Sequence, residues 1–293
     1  MNHSSLIEFV KQKHPELRNY PSRVIKINHL VTIISFGEQW IFRFPNTIIN
    51  KITQDKENYL LPMLELALPT AIPHIRYAAN CTDIFDYHGY LMIKGDRLNH
   101  TLLNRTEQLA EQLGKILTAL HTFTWQTCNA SIVHVCDTRA RWSYLFQIIR
   151  QALPLMNSQT RSWTVQLFES FLSDLNNFRF TPCLIHGDLG SRHIICDHSK
   201  RQLVGIIDFE DSHVGDPAYD FAQLYWEFGS NFVNQILKYY HVNVDSRFHH
   251  RLIGFYAKVM GFWGIIEGVV TNNQAQINQS IKVIELQVQK DQS

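Results

Sequence analysis

The sequence predicts an α+β protein in which a small antiparallel sheet comes first and a larger, mostly helical part follows. Three observations carry this prediction. Residues 24–45 hold two runs rich in β-branched and aromatic residues, VIKINHLVTIISF and QWIFRFP, separated by Gly37-Glu38, and this is strand composition. Residues 106–180 repeat apolar side chains at helical spacing. Between residues 183 and 224, two apolar segments lead into aspartates, Asp188 and Asp208. Neighbouring hydrophobic segments ending in carboxylates are how a fold sets charged groups beside one another at a cleft.

In chain order, residues 5–14 read as a short helix with Leu6, Phe9 and Val10 on one face, ended by Pro15 to Pro21. The strand pair follows, with a turn near its start, residues 28–32, that contains no glycine. A helix is expected to begin near Thr53. LPTAIPHIRYAA reads as a loop entering a strand, and DIFDYHGYLMIKGDRL as two short strands around His88-Gly89. Gly95 then lets the chain turn. Residues 106–121 form a helix with Leu109, Leu113, Ile116, Leu117 and Leu120 on one face and His121 as a packed end residue. After an irregular connection, residues 138–180 give two helices. Trp142, Leu145, Phe146 and Ile149 share one face, and Trp163, Leu167, Phe171 and Leu175 another, as core or as the wall of a substrate cleft. Residues 216–228 and 231–240 read as helices, and Ile277, Ile281, Ile284 and Val288 form the stripe of a closing amphipathic helix.

Composition narrows the class. The 293 residues suffice for two lobes, and 27 Lys plus Arg against 26 Asp plus Glu leave no basic field for nucleic acid. The start lacks a signal pattern, and VMGFWGIIEGVV, broken by Glu267, reads as a buried helix and not a membrane span. Five cysteines, Cys81, Cys128, Cys136, Cys183 and Cys196, without a CxxC, argue against a disulfide framework or a zinc site. A cytoplasmic protein with no membrane partner is the expectation.

The chemistry-bearing stretch is CLIHGDLGSRHIICD followed by VGIIDFEDSHVGDPAYDFAQL. It contains HxDxxxxH (His186, Asp188, His193), then IIDFE twenty residues past the first aspartate, then GDPxxD (Asp216, Asp220). A lone HxD carries little information; the two patterns in this order and spacing carry much more. With these motifs the chain resembles the aminoglycoside phosphotransferase family, a branch of the protein-kinase-like fold. It looks most like the 2''-phosphotransferases, which share the CLIH start, the histidine at the last loop position and the phrase FRFP, with macrolide phosphotransferases next.

The resemblance implies a two-lobed kinase-like fold, with residues 1–94 as a nucleotide-binding lobe and 95–293 as a catalytic and acceptor-binding lobe. It implies transfer of the γ-phosphoryl of ATP or GTP to a hydroxyl, with Mg²⁺. Asp188 would take the hydroxyl's proton, and Asp208 and His193 would hold the metal. His186 and Asp220 would brace the loop, and Asp216 would start a helix. Arg43 occupies the place of the strand lysine that meets the phosphates, with Glu57 as its pair. Leu91, Met92 and Ile93 would be the hinge that meets the nucleobase. Between Gly205 and Ser230 stand six acids and no Lys or Arg. Of these, Glu210, Asp211 and Glu227 are expected to be free for a cationic substrate, with Glu227 in WEFG like the acidic site of the 2''-phosphotransferases. An aminoglycoside is the favoured acceptor. A macrolide or a host metabolite suits the abundant aromatics, and a non-catalytic nucleotide-binding protein is the rival of another class.

Overall fold

The computed structural model describes all residues except 1, 2, 81, 102–106, 198, 200 and 293. Cys81 and the expected helix start at Thr106 lie outside the described residues. Ten strands occur among those described: β1 (Ser22–Ile27), β2 (Val31–Phe36), β3 (Trp40–Pro45), β4 (Ile75–Ala78), β5 (His88–Leu91), β6 (Asp96–Arg97), β7 (Cys183–Ile185), β8 (Ile194–Asp197), β9 (Gln202–Ile206) and β10 (His213–Gly215). The first five form one antiparallel sheet in the order β1-β2-β3-β5-β4. β6, β8 and β9 form a second sheet, and β7 pairs with β10.

The chain divides into two compact units. One comprises Met1–Leu120 with Arg192–Ser212, the other His121–Ser191 with His213–Ser293. Residues 95–120 and 192–212 thus cluster with the amino-terminal residues. Strand pairing is the reason. Asp96 and Arg97 pair with Cys196 and Ile195, and Ile206 N–H donates to the Ala71 carbonyl at 2.9 Å.

In the first unit, α1 (His3–Lys13) buries Leu6 and Val10, which join Leu17, Ile34, Phe36, Phe42, Phe44 and Tyr87 in one core cluster. The glycine-free turn between β1 and β2 is closed by Asn28, whose Oδ1 accepts the N–H of Leu30 at 3.0 Å and of Val31 at 2.7 Å. α2 (Ile48–Leu64) starts earlier than Thr53 because Thr47 caps it, accepting Asn50 N–H at 3.2 Å. α3 (Glu107–His121) buries all five leucine and isoleucine positions of its expected stripe.

In the second unit, α4 (Arg139–Arg150) buries Trp142, Leu145, Phe146 and Ile149 as their spacing predicts. α5 (Ser158–Ser173) differs from expectation: its buried face is Thr160, Thr164, Phe168 and Phe171, and Phe168 stacks on Phe146 at 4.7 Å. Leu175, past the helix end, is 58% exposed. Thr160 and Thr164 are buried on this face although they read as polar in the pattern. Trp163 and Leu167 instead line an open cavity of about 470 Å³. The span α6 (Ala218–Leu237) is two helices meeting at a non-helical Gly229, φ 80° and ψ 178°, as the sequence suggested. Phe248–Val270 is long and apolar enough to cross a membrane by length and composition. It is broken into α, π and 3₁₀ pieces, and it buries Phe248, Leu252, Phe255, Tyr256, Phe262 and Ile265 in this unit. The closing helix Gln274–Gln292 buries Ile277, Ile281, Ile284 and Val288.

Candidate active site

Alternation along β3 sends Phe42 and Phe44 into the aromatic core of the first unit and Arg43 to the opposite face. Arg43 is 4% exposed, and a buried guanidinium needs partners. Its Nη1 and Nη2 donate to Asp208 Oδ1 at 3.2 and 3.1 Å, and Nη2 also donates to Glu210 Oε1. Glu57 Oε2 lies 3.8 Å from Nη1, an ion pair without a hydrogen bond, while Glu57 Oε1 accepts the Phe209 N–H at 3.1 Å. The expected Arg43–Glu57 pair therefore exists as the loosest of three. Sequence reasoning missed Asp208 and Glu210 as partners of Arg43. Their spacing was the available signal, since two carboxylates flanking Phe209 suit one guanidinium fork.

Asp208 is a non-glycine residue in the left-handed region, φ 72° and ψ 63°, a conformation concentrated at functional sites. His193 Nε2 stands 3.3 Å from its Oδ2, and the Ile207 N–H donates to the His193 carbonyl at 3.0 Å, tying the two segments together. Burial by itself would raise the Asp208 carboxyl; Arg43 and His193 outweigh it and hold the group well below the usual carboxylate range. Burial pushes Glu57 upward against the pull of Arg43, and pushes Glu210 up to about 8. His88, buried opposite Arg43, is pushed down by desolvation and by the guanidinium. Its Nδ1 is 2.7 Å from Asn58 Oδ1.

His193 Nε2 and Asp208 Oδ2, 3.3 Å apart, are hydrogen-bonded to each other, and these are the two groups that would hold Mg²⁺. One is an ionised oxygen. Among the described residues no group of three or more His, Cys, Asp or Glu side chains could hold a metal ion. The Asp208 carboxylate fits Mg²⁺, which is commonly held by one or two carboxylates and completes its shell with phosphate oxygens and water; the His193 imidazole is the less natural donor for it.

In the second unit, β7 leads into His186, Gly187 and Asp188. Asp220, buried on α6, accepts the His186 N–H at 2.8 Å and the Gly187 N–H at 2.9 Å on its two oxygens. His121 Nε2 is 3.0 Å from the same carboxylate, and its Nδ1 is 2.7 Å from the Tyr240 hydroxyl. Gly187 has φ +80°, which lets both N–H groups turn toward one carboxylate. The Asp188 N–H donates to His186 Nδ1 at 3.3 Å. Asp220 and His186 thus accept the backbone N–H groups of residues 186–188. Burial would raise Asp220, but the hydrogen bond from His121 and the nearby His186 hold it below its ordinary value.

Asp216 caps α6 by accepting the Ala218 N–H at 3.0 Å. It is also paired with buried Arg251, whose Nη2 donates to Asp216 Oδ1 at 3.1 Å and to Asp245 at 2.7 Å. No spacing in the sequence signalled Arg251. Two acids expected to be free are engaged: Glu210 on Arg43, and Glu227, which accepts the Ser191 N–H and the Gln223 amide, both at 2.7 Å. The four-residue offset of Gln223 and Glu227 was a readable helical pair; the Ser191 backbone contact was not. Asp211 is exposed. Leu91 closes β5 against Trp40, and the Met92 N–H donates to the Gln39 carbonyl at 2.7 Å, so that donor is committed within the protein.

A strand cation beside a helix carboxylate and a loop aspartate, in a sheet-bearing unit, together with a helical unit whose α6 carboxylate grips an HGD loop, define the protein-kinase-like class. The family model described as the phosphotransferase enzyme family matches residues 34–252, and the chain belongs to that family. Among solved structures, the GDP complex of wild-type aminoglycoside 2'-phosphotransferase-IIIa is similar with a TM-score of 0.89 and 24% identity, covering 99% of this chain and 100% of that one. The GDP and kanamycin complex of APH(2")-IIia gives 0.88 and 25%, over 98% and 99%. Macrolide 2'-phosphotransferase type I gives 0.74 and 19%, over 96% of each chain, a likeness of fold. The uncharacterized protein YcbJ of Bacillus subtilis (strain 168) is 40% identical over 57 residues, so the match spans 20% of this chain and about a fifth, 18%, of that relative.

Proposed function

We propose that the protein transfers the γ-phosphoryl group of ATP or GTP to a hydroxyl of a small molecule, with Mg²⁺ as cofactor and an aminoglycoside as the favoured acceptor. The observation that carries this reading is the grip of Asp220 on the two N–H groups immediately before Asp188. A loop residue whose backbone is fixed in this way is preorganised for chemistry. Family membership supports the reaction class, and the GDP and kanamycin bound to a similar enzyme support nucleotide and acceptor.

In this reading the acceptor oxygen attacks the γ-phosphorus, the bond to the β–γ bridging oxygen breaks, and Asp188 takes the hydroxyl proton. Asp208 and His193 hold Mg²⁺, which when bound neutralises charge on the phosphates. Residues 1–94 serve the nucleotide: Arg43, kept in place with Glu57, meets phosphate oxygens, and backbone groups at Leu91 and Ile93 meet the base, the Met92 N–H being taken by Gln39. Residues 95–293 serve the acceptor. Asp211 and Glu227 receive its ammonium groups; each Glu227 oxygen keeps a second lone pair beside its present bond. The setting proposed for the activity is the cytoplasm, where nucleoside triphosphates are held, and the proposal includes neither nucleic acid nor membrane as partner.

One observation favours a macrolide or an apolar metabolite as a second reading. Tyr225 and Trp226, directly before Glu227, line a cavity of about 350 Å³ with Ile253, Val283 and Leu286. The test is phosphate transfer from ATP and from GTP, measured against a panel of aminoglycosides and macrolides. Aminoglycoside-dependent product is expected. Macrolide-dependent product alone would select the second reading, and no acceptor-dependent product from either class would overturn both.

A further inference from the structure

Arg43 carries five N–H donors, and the structure accounts for how they are shared. Three go to carboxylates: one from each Nη to the same oxygen of Asp208, and a second from Nη2 to Glu210 Oε1. The two on Asp208 are one fork closed on one carboxylate oxygen. The Nε donor is buried without a partner, and Glu57 stands off at 3.8 Å. Whatever draws the Asp208 carboxylate away releases one N–H from each Nη, a parallel pair suited to two phosphate oxygens. Once Asp208 has left, Glu210 is the acid still hydrogen-bonded to the guanidinium, beside the buried Tyr90, which also bonds Arg43.

We propose that Glu210 is a positioning residue: it keeps hold of Arg43 when Asp208 turns to the metal that accompanies the nucleotide, so that the freed fork faces the phosphates. This rests on the reading of Arg43 as the phosphate contact and of Asp208 as a metal ligand. It explains why a guanidinium serves where a lysine would be expected. An ammonium is a compact point charge with no fixed fork, whereas one edge of the planar guanidinium stays on Glu210 while the other donors are handed over. The acceptor oxygen is what matters, so an amide can replace the carboxyl at this position.

The experiment measures binding of a fluorescent non-hydrolysable nucleotide with Mg²⁺ and in EDTA, for the wild type and for Glu210→Leu, Glu210→Gln and Arg43→Ala, with thermal unfolding to verify that each variant is folded. In EDTA, Asp208 still holds Arg43, so Glu210→Leu should bind within about twofold of the wild type. With Mg²⁺ it should bind about tenfold more weakly, the scale of one hydrogen bond to a charged group. Glu210→Gln should restore most of the loss. Equal weakening of Glu210→Leu in both media, or none in either, overturns the proposal, as does a Glu210→Gln variant no better than Glu210→Leu. Unchanged nucleotide binding in Arg43→Ala would instead overturn the underlying reading of Arg43, which separates the two failures.

Discussion

Replacing Asp220 by alanine is the sharpest perturbation the second unit allows. The carboxylate is buried and accepts the N–H of His186 at 2.8 Å and of Gly187 at 2.9 Å. Alanine leaves one buried and one half-buried donor without that acceptor, at a cost of roughly 1–3 kcal/mol each. Taking about 2 kcal/mol for each gives about 4 kcal/mol in all. For a chain of this size 1 kcal/mol lowers the melting temperature by about 2 °C, so a fall of about 8 °C is expected in a calorimetric or fluorescence melt. Asp220→Asn keeps one oxygen and points an amide nitrogen at the other N–H, so about half that fall is expected. A change under about 2 °C in the alanine variant would show that Asp220 does not hold the loop, and the case for a preorganised Asp188 would go with it.

Asp188→Ala should lower phosphate transfer by at least about a hundredfold, the usual scale for losing a general base, with nucleotide affinity unchanged in a binding titration. Arg251→Met strands the buried Asp216 carboxylate and should cost roughly 3–5 kcal/mol, and Arg251→Met with Asp216→Leu should recover part of the loss in chemical denaturation. Asp137 and Asp220 are both held below their ordinary values, burial being outweighed in each by histidine and backbone hydrogen bonds. A depressed folded value stabilises above the unfolded carboxylate value near about 4 and loses that contribution as the pH falls. Melting temperature should therefore drop steadily from about pH 5 toward pH 3, with a shallower slope in Asp220→Asn.

The parts legible in the sequence were those fixed by period and composition. The leucine face of α3, the aromatic face of α4 and the final isoleucine stripe are burial patterns, and burial patterns survive translation into structure. His186 and Asp220 stood out because they share a motif with Asp188, and the structure joins both to the backbone of that loop. What was not legible depends on partners distant in the chain. Glu210 seemed free because its cation lies 167 positions away, and Glu227 seemed free because its partner is the backbone of Ser191, which has no residue type to read. The shifted face of α5 has a different cause: threonine counts as polar in a pattern and as apolar in a core.

The split of the first unit across two chain segments has a consequence for synthesis. A ribosome that has released 120 residues has released β6 but neither β8, its partner, nor β9. The Arg43 side chain at that moment has Glu57 within the emerged chain, while Asp208 and Glu210 remain untranslated. At roughly 5–20 residues per second the missing hairpin arrives after several seconds more. Throughout that interval the nascent amino-terminal piece carries an uncompleted cation and an unpaired strand edge, which makes it the stage at which a chaperone would find its client.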